Sequence, residues 1–229
     1  MGKTLAQMTE EREELTLAAI IDPLAGQTLA EAQGADVVID FSNPANLTML
    51  TEYCERESCP VVIATTGYEE EQRRQIRQLA RKVPVVFSAN YSLGINVMKR
   101  VLEEITPILE DAFDMEIIEK HHNRKLDAPS GTAKMLLEAM DRDGAYAHVF
   151  GRSGNGKRSR EIGVHAVRGG TIAGEHTALY AGEDEILEIR HTAGSKRIFA
   201  AGALKAAAFA AGSGRPAGLY TMEDVLFGR

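Results

Sequence analysis

Four near-continuous apolar runs in the first half of the chain limit its fold more than any other feature. They cover residues 15–22, 35–41, 60–66 and 83–89. Such runs predict strands that are buried on both faces, as in a parallel sheet. Between them, residues 47–57 and 70–82 carry the apolar and charged spacing of outer helices. The alternation predicts an α/β fold with a doubly wound, Rossmann-like parallel sheet over residues 1–92.

The second half of the chain has a different pattern. A predicted helix at 94–109 leads to a strand at 114–122 and a helix at 132–140, and three further strands follow at 162–168, 175–181 and 185–192. Because no helix separates these last strands, they predict a mixed or antiparallel sheet in an α+β domain over residues 93–204. An Ala-rich helix at 197–211 precedes the tail, and we expect residues 205–229 to pack back onto the first domain.

Composition excludes several classes of function. The formal charge is -7 and the pI about 5.5, so the chain has no basic surplus with which to bind nucleic acid. No run of about 18 apolar residues is present, so we expect no membrane association and a cytoplasmic protein. Cys54 and Cys59 have no further Cys or His nearby in sequence, so buried thiols are favoured over a metal site.

Proton-transfer groups are concentrated in the segment 119–134, EKHHNRKLDAPSGTAK. It holds two adjacent histidines, His121 and His122, and Lys125 follows four residues after the first. Histidine exchanges protons near neutral pH, and a nearby lysine favours developing negative charge. Ser130-Gly131-Thr132 then opens a helix, whose free N–H groups suit a carboxylate; an ordinary helix N-cap is the alternative.

This segment closely resembles the signature of the dihydrodipicolinate reductase family, pyridine-nucleotide enzymes of bacterial lysine biosynthesis. The resemblance implies NAD(P)H-dependent reduction of a dihydrodipicolinate-type intermediate to tetrahydrodipicolinate, by hydride transfer and protonation. It implies that His121 is the proton donor and that Lys125 is a second donor or an electrostatic partner. His122, Ser130, Gly131 and Thr132 would bind the small dicarboxylate. It further implies a homotetramer built through the second domain's sheet, and a cleft between the domains.

Two short segments of the first domain resemble the family's cofactor segments. Ala64-Thr65-Thr66-Gly67 and Ser88-Ala89-Asn90-Tyr91 each follow a predicted strand, where ligands bind in parallel sheets. Asp22 ends an earlier apolar run, where a carboxylate binds the adenosine ribose and favours NADH over NADPH. On spacing alone, Asp22-Pro23 is equally a turn initiator.

The start of the chain differs from the family pattern. Met1-Gly2-Lys3 resembles the end of the family's Gly-rich turn, followed by a predicted first helix at 4–14. We therefore expect the first strand and the earlier glycines of the cofactor site to be missing from this sequence. That expectation leaves open a substrate-binding homologue without catalysis, and a related reductase of another small dicarboxylate is a separate alternative.

Two further features are assigned no catalytic role. Residues 151–157 match the start of a phosphate-binding P-loop, but Arg158 stands where Ser or Thr would bind magnesium, and a strand follows where a helix is needed. A mobile basic surface loop is the preferred interpretation. His176, at the start of a predicted strand, is interpreted as structural or interfacial.

Overall fold

The structure, a computed structural model, describes residues 1–32 and 34–228, which divide into two compact units. The first unit comprises Met1–Leu93 and Lys196–Arg229, and the second comprises Gly94–Ser195. The last helix of the second half, α6 (Arg197–Ala210), thus lies wholly in the first unit, and the C-terminal part of that unit begins at Lys196.

A four-stranded parallel sheet forms the centre of the first unit. Its strands lie in the order β1 (Val38–Asp40), β2 (Val61–Ile63), β3 (Pro84–Phe87) and β9 (Gly218–Tyr220). The three-residue β9, which the sequence analysis did not predict, brings the chain's last segment into this sheet. The parallel pairing confirms the Rossmann-like prediction.

Alternate residues of these strands pack against helices on opposite faces of the sheet. Val61, Ile63 and Val85 contact α2 (Leu47–Glu57) and α3 (Glu70–Leu79) in one apolar core. Val62 and Val86 contact α6 and α7 (Met222–Phe227) in a second core. Side chains alternate across a strand, so a run that is apolar at every position must be covered on both faces, as it is here.

Residues 15–22 do not form the strand predicted for them. The first helix, α1, ends earlier than expected, at Gly2–Glu10, and an irregular segment follows that leads to a short 3-10 helix at Pro23–Ala25. Ala19 and Ile21 still pack against the first core. A strand requires a hydrogen-bonded neighbour. Among the described residues no strand pairs with this segment, so its apolar pattern reflects packing without pairing.

A five-stranded mixed sheet forms the second unit, as the sequence predicts. Its order is β5 (Ala147–Phe150), β6 (Glu161–Arg168), β4 (Asp114–His121), β7 (Glu175–Ala181) and β8 (Ile186–Thr192). The first three strands are parallel to one another, and β7 and β8 pair antiparallel. Of these strands, only β5 was not predicted.

Two helices cover one face of this mixed sheet. Leu102 of α4 (Leu93–Leu109) and Leu136 of α5 (Gly131–Met140) pack with Met115 and Ile117 of β4 in a separate apolar core. Because side chains alternate along a strand, Glu119 and His121 continue the covered face of β4 beyond Ile117. The fold thereby places both polar side chains next to the start of α5.

The loop that resembles a P-loop is held by ion pairs. It connects β5 to β6 rather than a strand to a helix. Arg152 and Arg158 both pair with Glu116 and with Glu161. Carboxylates of the sheet therefore neutralise these two arginines of the loop. Among the described residues, no helix is long and apolar enough to cross a membrane.

Candidate active site

His121 ends β4 and is 9% exposed. Its Nδ1 lies 2.5 Å from Oε2 of Glu119, the residue two positions earlier on the same face of the strand. Its Nε2 lies beside Gly174, where an added Cβ would come within 3.1 Å of that nitrogen. One ring nitrogen is thus bonded within the protein, and the other lies against a residue without a side chain.

Glu119 is fully buried and accepts hydrogen bonds from three partners. Besides His121, the Arg168 guanidinium donates to both carboxylate oxygens at 2.7 and 2.8 Å, and the Ser130 N–H donates to Oε1 at 2.9 Å. Burial alone would raise the pKa of this carboxyl. The hydrogen bonds from Arg168, His121 and Ser130 outweigh burial and lower the pKa, so the buried group is an anion.

His176 lies edge-on to His121, with ring centroids 5.2 Å apart and an interplanar angle of 71°. It is 4% exposed, and its Nε2 is 3.1 Å from the Ser130 hydroxyl. Burial, with a contribution from the neighbouring His121, lowers its pKa to about 4. His176 is therefore neutral at pH 7. Together with His121 it forms the histidine cluster of the second unit.

The start of α5 is organised by Ser130. The Ser130 hydroxyl accepts a hydrogen bond from the Ala133 N–H as a helix N-cap, and its own N–H is bonded to Glu119. Ser130 is 3% exposed, whereas Gly131 is exposed and an added Cβ there would meet nothing within 4 Å. Open space therefore lies at Gly131, next to the half-buried Thr132, while Ser130 fixes the turn.

Lys125 forms an ion pair with Asp127 at 2.8 Å. The pKa of Asp127 is lowered chiefly by its hydrogen bond to Lys125, and the Gly131 backbone N–H contributes as well. A carboxylate of the chain itself thus interacts with the lysine and the helix start together. These groups form a carboxylate-binding arrangement.

His122 lies just beyond the end of β4 and is half-buried. Its Nδ1 is buried, and among the described residues it has no hydrogen-bond partner. Unpaired buried polar atoms are rare, because each costs about 1–3 kcal/mol. The His122 nitrogen is therefore an orphaned polar atom that a bound ligand could satisfy.

The predicted cofactor residues of the first unit divide into exposed and buried groups. Ala64, Thr66, Ser88 and Ala89 follow β2 and β3 and are exposed or half-buried. β2 and β3 are parallel, so these residues lie at the same edge of the sheet. They present small side chains there, as close approach of a dinucleotide requires.

The buried group consists of Thr65, Asn90 and Tyr91, whose side chains form hydrogen bonds that support these loops. The Thr65 hydroxyl accepts a hydrogen bond from the Ser42 N–H at 2.8 Å, and the Asn90 side chain accepts one from the Ser92 N–H at 2.8 Å. Tyr91 is 2% exposed, and its hydroxyl lies 2.9 Å from the carbonyl oxygens of both Ile63 and Val86. These three side chains hold the loops' backbone in place.

Asp22 and Asp40 are two carboxylates of the first unit. Asp22 is exposed and caps the 3-10 helix that follows it, accepting the Leu24 N–H at 3.0 Å. Asp40 ends β1, and its Oδ2 lies 3.3 Å from the Tyr68 hydroxyl, while its Oδ1 accepts the Ser42 N–H. Neither residue was predicted as a site residue, although Asp40 lies near the end of the apolar run 35–41 and Ser42 follows it directly.

Comparison with known proteins identifies the family. The model of the dihydrodipicolinate reductase N-terminus matches residues 1–91, and the model of the C-terminus matches residues 94–226. The chain belongs to the dihydrodipicolinate reductase family. Together the two matches cover most of both units, so the family assignment does not depend on the histidine segment alone.

Individual relatives agree with this family assignment. The 4-hydroxy-tetrahydrodipicolinate reductase of Clostridium novyi (strain NT) is 44% identical over 238 residues, which cover 99% of this chain and 94% of the relative. That of Anaeromyxobacter sp. (strain Fw109-5) is 46% identical and covers 91% of this chain and 78% of the relative. The dipicolinate-bound dihydrodipicolinate reductase from Paenisporosarcina sp. TG-14, at 22% identity, shares the fold with a TM-score of 0.78, over 99% of this chain and 95% of that one.

The structure connects His121, Ser130 and the start of α5 through two residues that were not predicted as part of the site. Glu119 and Arg168 connect them, although neither was singled out as a site residue. Period-two alternation places Glu119 on the same face as His121 and was a usable signal. Arg168 gave no signal, because only the register of β4 against β6 sets it opposite His121.

Proposed function

We propose that this protein catalyses the NAD(P)H-dependent reduction of 4-hydroxy-tetrahydrodipicolinate, or of the dihydrodipicolinate derived from it, to tetrahydrodipicolinate. This step belongs to the diaminopimelate route to lysine. The observation that carries the proposal is the histidine cluster beside a carboxylate-binding helix start in a member of this family. It supplies a proton donor next to groups that suit an anionic substrate.

The substrate carboxylates bind at Lys125 and the start of α5 in this proposal. Lys125 and the Gly131 N–H already interact with the Asp127 carboxylate, which supports their affinity for such a group. His122 supplies a buried nitrogen without a partner among the described residues, and Thr132 stands next to Gly131. Positive charge concentrated at these few residues meets the dianion on a chain whose net charge is -7.

Reduction adds a hydride and a proton to adjacent centres of the substrate. NAD(P)H supplies the hydride when it is bound to the first unit, and the small, exposed residues after β2 and β3 fit such a ligand. His121 delivers the proton from Nε2, while Lys125 stabilises the charge that develops on the substrate. Ser130 acts by fixing the helix start rather than by contacting the substrate.

Turnover with purified protein, NADH and the product of the preceding synthase tests this assignment. We expect His121→Gln to reduce kcat by at least about 100-fold, the contribution typical of a general acid. Lys125→Ala should raise KM as well as lower kcat. The exposed Lys134 of α5 offers a matched control, and Lys134→Ala should leave both constants within about twofold. Wild-type turnover no greater than that of His121→Gln would refute the assignment.

We also propose that NADH is preferred over NADPH. Asp22 is exposed, and its negative charge would accept the ribose hydroxyls of NADH and repel the additional phosphate of NADPH. The ratio of kcat/KM for the two cofactors measures this preference. Asp22→Ser should shift that ratio toward NADPH by about tenfold, the equivalent of about 1.4 kcal/mol. An unchanged ratio would favour the turn-forming role of Asp22.

A cytoplasmic homotetramer completes the proposal. Val167 and Ile186 are exposed on the sheet of the second unit, which supports assembly through that sheet. Cys54 and Cys59 are both free and buried, as is typical of proteins in a reducing compartment. Light scattering during gel filtration should give four times the chain mass of 24.9 kDa. Val167→Glu should lower that mass, and a monomeric wild type would refute the assembly.

A further inference from the structure

The hydrogen bonds at Glu119 connect three elements of the second unit. Oε2 contacts His121 Nδ1, Oε1 accepts the Ser130 N–H at the start of α5, and Arg168 of β6 donates to both oxygens. Arg168 also donates to the backbone carbonyl of Asp127 at 2.6 Å. One carboxylate is therefore bonded to the proposed proton donor, the substrate-binding turn and a fixed cation.

A buried carboxylate is costly unless its charge is compensated. Glu119 is 0% exposed, and its three donors occupy both oxygens. Arg168 is always protonated and binds in the bidentate geometry that guanidinium and carboxylate share. These partners keep Glu119 ionised, so it can only accept hydrogen bonds and the His121 Nδ1 must carry the proton between them.

We propose that Glu119 is a positioning residue for His121: its carboxylate fixes the Nδ1–H form of the ring, so that Nε2 is the nitrogen that exchanges the proton with the substrate. This inference rests on the proposed function in one respect, namely that His121 transfers the proton. Arg168 acts through Glu119, holding the carboxylate in place and compensating its charge.

The proposed step balances in protons and electrons. The 4-hydroxy compound first loses its hydroxyl as water to give dihydrodipicolinate, which then gains the hydride pair from NAD(P)H at one carbon and the Nε2 proton of the His121 imidazolium at the adjacent centre. His121 is left neutral with its Nδ1–H still donated to Glu119, and it regains a proton from solvent. Glu119 stabilises the imidazolium and remains ionised throughout, as the buried carboxylate of a Ser-His-Asp triad does.

Nitrogen-15 NMR of the wild-type protein and of Glu119→Gln tests this link independently of activity. A His121→Gln sample assigns the His121 ring signals. In the wild type, we expect the neutral ring to be protonated at Nδ1. In Glu119→Gln, the amide N–H2 donates to Nδ1, so the ring proton moves to Nε2. Nε2 should then show the shift of a protonated nitrogen and Nδ1 that of an unprotonated one. Identical nitrogen shift patterns in the wild type and in Glu119→Gln would overturn the proposal, whether or not the protein is active.

Kinetics separate positioning from a purely structural role. Because loss of the orienting carboxylate leaves the wrong tautomer, Glu119→Gln should reduce kcat by about 100-fold or more. Its KM and its affinity for pyridine-2,6-dicarboxylate should stay within about threefold, since Lys125, His122 and Gly131 are intact. Equal losses in kcat and in affinity for the analogue, or an unchanged kcat, would overturn the proposal.

Glu116 provides a matched control on the opposite face of β4. It too pairs with a histidine, His165, at 2.8 Å, and with Arg152 and Arg158. Glu116→Gln should leave kcat within about twofold and leave the His121 signals unchanged. A loss of kcat equal to that of Glu119→Gln would assign the effect to disruption of the sheet and overturn the proposal.

Glu119→Gln leaves the Arg168 guanidinium without its anion and could prevent folding. Glu119→Gln/Arg168→Met removes both charges together, which is far less costly than leaving one of them unpaired. This double variant should fold, and His121 should again show the Nε2–H ring with a reduced kcat. Should the wild type itself fail to reduce the substrate, the proposed function fails, while the NMR comparison still decides whether Glu119 sets the tautomer.

Discussion

At the scale of single residues, the proposed function makes Asp127 a competitor of the substrate carboxylate for Lys125. Its side chain is 54% exposed, and its ion pair with Lys125 at 2.8 Å must open before a substrate carboxylate takes its place. Exposed pairs of this kind are worth about 0.2–1 kcal/mol. The internal carboxylate therefore imposes a small cost on binding.

Replacing Asp127 with Asn removes this competitor. We expect Asp127→Asn to tighten binding of pyridine-2,6-dicarboxylate by about two- to fivefold, as the ion-pair energy implies. Isothermal titration calorimetry measures this change. Asp143→Asn makes the same charge change in an exposed loop and should have no effect. Weaker binding by Asp127→Asn would show instead that Asp127 orients Lys125.

His176 couples the stability of the second unit to pH. Its pKa falls from the ordinary 6.5 to about 4 on folding, because burial disfavours its charge. Above pH 6.5 the histidine is neutral in both states and costs nothing. As the pH falls below 6.5 the unfolded chain takes up a proton first, so stability is lost until about pH 4, below which the loss is complete.

This linkage predicts a measurable loss of stability in acid. Over the interval from pH 6.5 to 4, His176 should contribute a loss of about 3 kcal/mol to the free energy of unfolding. Urea unfolding at pH 7 and at pH 4.5 measures most of this loss. Between these two pH values, the free energy of unfolding of His176→Gln should fall by less than that of the wild type. Glu119, whose pKa is lowered, adds a loss of the same sign in both proteins. Equal losses in the two proteins would contradict the assignment.

At the scale of secondary-structure elements, the contact of α6 with Tyr91 shows how one helix determines the packing of the first unit. Gly202 lies where an added Cβ would come within 1.6 Å of the Tyr91 carbonyl oxygen. The helix can approach the backbone there only because this residue has no side chain. Tyr91 in turn bonds to the ends of β2 and β3, so α6 supports the segments from which the predicted cofactor loops begin.

Gly202→Ala should therefore destabilise the protein, although alanine favours helices by about 1 kcal/mol over glycine at unconstrained positions. We expect a loss of about 2–4 kcal/mol, because backbone must move to relieve the overlap. Ala208→Gly, at an exposed position of the same helix, should lose only about 1 kcal/mol. Thermal unfolding of both variants measures the difference, and a Gly202→Ala protein as stable as the wild type would contradict it.

Most elements could be predicted from the sequence, because their patterns are local. The bounds of α2 and β7 match the prediction at both ends, since apolar periodicity and end signals agree there. Residues 15–22 show the limit of this approach: an apolar run predicts burial, whereas a strand depends on a neighbour elsewhere in the chain. The strands β5 and β9 are short, and their pairing is set by tertiary contacts.

The candidate site divides in the same way. His121, Lys125 and the Ser130 turn stand together in sequence, so their pattern identified them. The roles within that group required coordinates: Ser130 is bonded internally, Asp127 pairs with Lys125, and Arg168 is brought from another strand. Contacts between residues far apart in sequence leave no local pattern, so the sequence indicated the candidate reacting groups but not the residues that are hydrogen-bonded to them.

The chain as a whole passes from the first unit into the second and back again. The second unit, Gly94–Ser195, is one continuous segment with its own apolar core. The first unit needs both Met1–Leu93 and Lys196–Arg229, because α6, α7 and β9 from the second segment complete its sheet and its core. The two units should therefore differ in whether their chain segments fold when they are expressed alone.

Expressed alone, residues 94–195 should fold and unfold cooperatively in urea, whereas residues 1–93 should not. The first fragment retains its core, while the second exposes the sheet face that α6 covers. Circular dichroism during urea titration measures both. Adding residues 196–229 as a separate peptide should restore structure to fragment 1–93. A cooperative transition for that fragment alone would contradict the expectation.

Because the second unit is one continuous segment, it can be exchanged as a whole during evolution. The residues proposed for proton transfer and carboxylate binding, from Glu119 to His176, lie between only two covalent junctions, at Leu93–Gly94 and Ser195–Lys196. A single insertion or recombination event at those junctions would exchange all of them at once, leaving the parallel sheet's sequence untouched. Under the proposed function, the groups that act on the substrate can thus be inherited as one module, while the residues proposed to bind the cofactor must be changed in place.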